Sequence, residues 1–417
     1  MVKYLTGNIK INKRNIIFEP LSFLTFSYPS SGFDFNRDFL PIPSKNHRQV
    51  EQENVYNLDR NMKVHNFNAG PSVLPNEVLY KASKALIDFD GSGMSILEIG
   101  HRTEPFVAVM EEARSLAKEL MQLEDDYEVL FLHGGATTQF LQVPMNLLES
   151  GETAAYIDTG VWSNKAIKEA KQFGYVDVIA SSKDSNYNHI PKQYTVPSQA
   201  KYLHITTNNT IYGTQWHTTP ETDVPLIADM SSDILSRQMD FNRYALIYAG
   251  VQKNMGAAGA TMVAVRKSIL GKITRKVPSI MDYKLHIENG SMLNTPPVFA
   301  VYISMLTLRW LKGQGGVAAI EKINNKKAAL LYDEIDHNPL FRGNVAKEDR
   351  SKMNVTFTID KPELEEEFLK FAKKEDIVGI KGHRLSGGFR ASLYNALPLE
   401  SVEVMVEAMK FFSLKKA

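Results

Sequence analysis

Lys253 lies in Ala249-Gly-Val-Gln-Lys-Asn-Met-Gly-Ala-Ala-Gly, between two apolar runs and surrounded by small residues. Lysine is almost never buried without a partner, so the plain reading is a solvated turn lysine. The second reading is chemical: a desolvated amine has its charged form disfavoured, which lowers its pKa and frees it to attack a carbonyl. Upstream, the strand-like Val224-Pro-Leu-Ile-Ala runs into Asp229. That acid can simply cap a helix over Ser231 to Leu235. It can also hold the pyridine nitrogen of pyridoxal phosphate protonated, so that the ring acts as an electron sink. An aspartate and a lysine at successive strand ends would meet across one cofactor.

Two further features fit that chemistry, each weak by itself. His133-Gly-Gly-Ala-Thr-Thr-Gln follows an apolar run ending at Leu132 and opens a helix-like segment, where backbone N–H groups and the helix dipole can bind phosphate. Gly-rich turns of this kind are more often structural, and the full G-x-G-x-x-G pattern is missing. Trp162, in Thr159-Gly-Val-Trp-Ser, can stack on a ring or merely fill core.

These residues must be positioned by an alternation of short apolar runs and amphipathic segments, the signature of a largely parallel sheet with crossover helices. Tyr127 to Leu132, Ala154 to Ile157, Tyr202 to Ile205, Val224 to Ala228, Leu246 to Tyr248 and Thr261 to Val265 read as strands. Glu104 to Gln122 puts Phe106, Val109, Met110, Ala113, Leu116, Ala117 and Leu120 on one helical face. After Gly313 the pattern turns to long helices, Val317 to Asp336, Leu364 to Lys374 and Leu399 to Phe412. The expected architecture is therefore α/β, with a large domain over residues 62–320, whose first residues can instead join the small domain, and a smaller α+β domain over 321–417. Residues 1–61 show no steady period and read as an extension, a disordered tail or a start-site artefact. Lys3, Lys10, Lys13 and Arg14 precede the first acid, Glu19, which keeps a transit peptide as the alternative.

With 48 Lys and Arg against 47 Asp and Glu, the 417-residue chain has no global field to gather nucleic acid or a membrane surface. The absence of cysteine excludes disulfides, thiolate metal sites and a cysteine nucleophile, and suits a reducing, cytoplasmic setting. No apolar run is long enough to cross a bilayer. The partners expected are small molecules and a second copy of the chain.

From Met62 onward the chain resembles the class V group of fold-type-I pyridoxal-phosphate enzymes, and within it the phosphoserine aminotransferase family. The resemblance rests on Asn66-Phe-Asn-Ala-Gly-Pro, Ser95-Ile-Leu-Glu-Ile-Gly-His-Arg, Ala228-Asp-Met-Ser-Ser, Gly250-Val-Gln-Lys-Asn, Asn289-Gly-Ser-Met-Leu-Asn-Thr-Pro-Pro and Lys381-Gly-His-Arg-Leu-Ser-Gly-Gly-Phe-Arg-Ala-Ser, in that order. It implies a mainly parallel seven-stranded sheet. It also implies that Lys253 is the Schiff-base lysine, Asp229 the pyridinium partner, Trp162 the stacking ring and Thr210 the neighbour of the phenolic oxygen. Ala136, Thr137 and Gln252 match phosphate-holding positions, and Asn294 and Thr295 match residues that reach that phosphate from the other subunit of a homodimer. Arg390 matches the arginine on the substrate α-carboxylate, where a planar fork suits better than an ammonium. His101 and Arg102, with His383 and Arg384, match pairs directed at the substrate phosphate or the glutamate side-chain carboxylate.

Ala69 and Ala136-Thr137 depart from residues that some relatives carry, which affects contacts but not the lysine or the aspartate. The activity implied is glutamate-dependent amination of 3-phosphohydroxypyruvate, with 4-phosphohydroxythreonine left open as a second substrate. An alanine-glyoxylate or serine-pyruvate aminotransferase is the nearest alternative, against which the paired His-Arg motifs argue. A cysteine desulfurase fails for want of a cysteine, and a silent cofactor-binding protein has no need of this residue set.

Overall fold

The computed structural model describes residues 64–416, so the reading of 1–61 lies outside the described residues. Its centre is a seven-stranded sheet in the order β2-β8-β7-β6-β5-β3-β4. The strands are β2 (Tyr127–Leu132), β3 (Thr153–Asp158), β4 (Tyr175–Ser181), β5 (Leu203–Thr206), β6 (Leu226–Asp229), β7 (Leu246–Gly250) and β8 (Thr261–Arg266). The run β4-β3-β5-β6-β7 is parallel, while β8 lies antiparallel to both β7 and β2.

Helices cover both faces, so the central strands have no solvent side. Every residue of β5, β6 and β7 is buried. Alternate side chains feed separate cores: Ala155, Ile157, Leu203, Ile205, Ala228 and Ile247 pack on one face. Ala154, Tyr156, Ile227, Leu246 and Tyr248 pack on the other.

A third apolar core gathers Leu331, Phe341, Phe357, Phe368, Phe389 and Met405, and takes in Phe67 from the start of the described chain. It is built on β9 (Phe341–Gly343), β10 (Asn354–Ile359) and β12 (Phe389–Ser392), paired antiparallel in the order β12-β10-β9. Phe67 is brought there by β1 (His65–Asn66), which pairs in parallel with β11 (Ile377–Val378).

All six expected strands are present, Tyr127–Leu132 with the same bounds and the other five shifted by one or two residues at one end or both. The edge strand β4 is additional; half exposed and interrupted by Asp177, it carries little apolar signal. Ser231 to Leu235 forms turns and no helix, so Asp229 does not cap one there.

Candidate active site

In an open α/β sheet the carboxyl ends of parallel strands converge on the ligand crevice. Register aligns Thr206 at the end of β5 with Asp229 at the end of β6, and Asp229 with Tyr248 of β7. Two residues past Tyr248 the strand ends at Gly250, and the turn that follows carries Gln252 and Lys253.

Asp229, Gln252 and Lys253 line one cavity of about 300 Å³, together with Ala136, Thr137, Trp162, Thr210, His383 and Arg390. Nine of the sequence-derived site residues therefore converge. The other five do not enter this cavity. Asn294 and Thr295 line a second space of about 390 Å³, beside His133, whose Nε2 lies 2.8 Å from the Thr295 carbonyl oxygen. Arg102 and Arg384 are exposed, and the Arg102 Nε donates to His101 Nε2 at 3.3 Å.

Each wall has a local cause. The helix Gly135–Leu147 starts immediately after Gly134, whose φ of 91° is left-handed. A Cβ on Gly134 would lie 2.7 Å from the Thr138 Cβ, so only glycine fits the turn. The turn aims the helix N-terminus, with its unpaired amides, at the cavity. Trp162 sits in the first turn of the helix Val161–Ala170, whose start is held by buried Asp158. That carboxylate accepts from Ser163 Oγ at 3.0 Å and from Tyr187 Oη at 3.1 Å.

Lys253 is fixed from two sides. Its Nζ donates to Thr210 Oγ1 at 3.1 Å, and its carbonyl accepts from Ser72 Oγ at 2.6 Å. Gly70 lies against the side chain so closely that an added Cβ would stand 3.3 Å from the Lys253 Cγ. Desolvation pushes the Lys253 amine down to about pKa 8; Asp229 opposes this and the Arg390 charge reinforces it. Burial also raises Asp229, against hydrogen bonds from Ser231, including its backbone N–H at 2.9 Å, and the charge of Lys253. A carboxylate so placed gains most from a cation set against it. His383 is lowered by burial and by the charges of Arg390, Arg384 and Lys165, so the rim is strongly cationic.

Three buried polar atoms on this wall, Trp162 Nε1, Thr206 Oγ1 and Arg390 Nε, make no hydrogen bond within the protein. Orphaned donors of this kind mark a place for a polar ligand. The set suits pyridoxal phosphate: helix amides for a phosphate, an indole for a ring face, a buried acid for a ring nitrogen and a depressed lysine for an aldehyde.

Sequence reasoning missed Gly70, Ser72, Thr206, Asn208 and Ser231, of which all but Ser72 line the cavity. Gly70 lies within Asn66-Phe-Asn-Ala-Gly-Pro, whose residue types alone point to no role for it. Thr206 could have been found as the residue ending the strand beside β6, had the register been known.

The class-V aminotransferase family model matches residues 64–405. The chain is 57% identical over 355 residues to the phosphoserine aminotransferase of Flavobacterium johnsoniae, covering 85% of this chain and 100% of that protein. A solved phosphoserine aminotransferase from Bacillus circulans subsp. alkalophilus is 45% identical with a TM-score of 0.83, over 85% of this chain and 99% of that one. A phosphoserine aminotransferase from Trichomonas vaginalis solved with bound pyridoxal phosphate is 34% identical with a TM-score of 0.80, over 84% and 100%.

Proposed function

The chain belongs to the class-V aminotransferases, and on that premise we propose that it transfers the amino group of L-glutamate to 3-phosphohydroxypyruvate, giving O-phospho-L-serine and 2-oxoglutarate with pyridoxal 5'-phosphate as cofactor. The observation that carries this is the meeting of Lys253, Asp229 and the helix N-terminus at Gly135–Thr137 around one cavity. Bound pyridoxal phosphate supplies an electron sink for charge developing at the substrate α-carbon.

Lys253 carries the amine that attaches the cofactor, and as a base of lowered pKa it moves the proton at the substrate α-carbon. Asp229 would keep the ring nitrogen protonated, and Trp162 would cover one ring face. Thr210, which accepts from Lys253 Nζ, would stand beside the cofactor's phenolic oxygen. Ala136, Thr137 and Gln252 hold the cofactor phosphate. Arg390 takes the α-carboxylate through its planar donor fork. His383 and Arg384, with His101 and Arg102, receive the substrate phosphate or the glutamate side-chain carboxylate.

The protein acts as a homodimer in the cytoplasm, with Asn294 and Thr295 of each subunit completing the phosphate site of the other. Among the described residues no helix is long and apolar enough to cross a membrane. The chain divides near residue 320 into a large cofactor-binding domain and a small C-terminal one that its first described residues join, a division supported by the separate core around Phe357 and Phe389, which takes in Phe67.

The test is a comparison of amino acceptors with glutamate as donor. 3-Phosphohydroxypyruvate should far exceed pyruvate and glyoxylate; 4-phosphohydroxythreonine, which already carries an amino group, is assayed in the reverse direction as a donor to 2-oxoglutarate. Lys253→Ala should lose both turnover and the visible absorbance of the attached cofactor. A preference for pyruvate would overturn the substrate assignment.

A further inference from the structure

Lys327, in the helix Gly316–His337, is fully buried, and the mechanism above does not use it. Its Nζ donates to the carbonyls of Leu393 at 3.0 Å, Tyr394 at 2.7 Å and Leu397 at 3.1 Å. An ammonium has three N–H donors, so this one is fully used, and every acceptor is backbone. Burial pushes the Lys327 pKa down to about 7. Placing such a cation in the interior is costly, and surface hydroxyl or amide side chains hold turns more cheaply. What the three carbonyls share is their position: they directly follow β12, which carries Arg390.

The same segment reaches the other cavity walls. Tyr394 Oη donates to the Ala69 carbonyl at 2.8 Å, and Ala69 and Gly70 line the cavity against Lys253. Asn395 donates its backbone N–H to Asn254 Oδ1 at 3.0 Å, next to Lys253 in sequence. One turn before Lys327, Asn324 donates to Asn395 Oδ1 at 2.8 Å. The helix thus clamps residues 393–397 at two points, and that segment touches three sides of the site.

We propose that Lys327 is a positioning residue for Arg390: by holding the carbonyls of Leu393, Tyr394 and Leu397 it sets where the guanidinium and the Ala69–Gly70 wall stand, and so how tightly the substrate carboxylate is held. The inference rests on the reading of Arg390 as the α-carboxylate ligand.

The experiment compares full-length, cofactor-loaded Lys327→Met, Lys327→Gln and Arg390→Lys proteins with the parent. Small displacements remote from the reacting atoms weaken substrate interactions, so Lys327→Met should raise the KM for glutamate about tenfold while kcat stays within about twofold. Pyridoxal phosphate affinity, titrated by absorbance, should not change. Lys327→Gln keeps two of the donors and should fall between. A lowered melting temperature with unchanged KM would reduce Lys327 to a structural role and overturn the proposal. If the Met protein does not fold, the Gln protein decides on the same criterion. Should Arg390→Lys leave the KM for glutamate unchanged, the reading of Arg390 fails; should it raise KM while the Lys327 variants do not, only this inference fails.

Discussion

Desolvation brings the Lys253 amine to a pKa of about 8, against an ordinary 10.5. Because the folded value is the lower one, folding favours the neutral amine. The cost of burying the ammonium is full below about pH 8 and fades as the pH rises toward 10.5. Reactivity follows the neutral fraction. With the cofactor removed, labelling of Lys253 by trinitrobenzenesulfonate, followed by peptide mass, should therefore rise through a midpoint near pH 8 and level off above it. Asp229 is the largest force holding that value up, so Asp229→Asn should move the midpoint lower. A midpoint at 10.5 in the parent protein would mean that the amine is solvated and has no special reactivity. Lysine and aspartate were both legible in the sequence, since each stands where an apolar run ends. Thr206 and Ser231 were not, because their place in the site depends on which strands are neighbours and in what register.

At the scale of elements, the turn at Gly134 converts a strand end into a phosphate cradle. Gly134→Ala must adopt a left-handed φ of 91° and push a Cβ into the Thr138 side chain. The change should cost about 1–3 kcal/mol of stability and weaken pyridoxal phosphate binding, checked by denaturant titration and by cofactor absorbance. An unaltered cofactor affinity would separate the turn from the phosphate site. Elements were readable in proportion to how their burial patterned the sequence. The helix Glu104–Leu120 buries one stripe and was found from its period. The helix Val298–Gly313 is buried at every position from Ala300 to Leu308, so its apolar residues run on without a period and gave no helical signal. The helix Gly316–His337 was found, whereas the function of buried Lys327 within it emerges only from three carbonyls more than sixty residues away in sequence.

For the whole molecule, the decisive fact is that one chain's cavity holds nine of the expected site residues and leaves five outside. Asn294 and Thr295 belong to a separate space, and Arg102 is exposed. If these residues were ordinary surface groups, each chain would work alone. If they complete the site of a second subunit, as we propose, two differently damaged chains can repair each other. In a mixed dimer of Lys253→Ala and Asn294→Ala chains, one site carries both defects and the other carries neither. Random reassortment makes half the dimers mixed, so an equimolar mixture that has been unfolded and refolded together should recover about a quarter of the parent activity. Each variant refolded alone should stay at its own low level. Mixing without subunit exchange should give only the mean of the two. Failure to exceed that mean after refolding, with dimers present by sedimentation, would place Asn294 outside the chemistry of the neighbouring site.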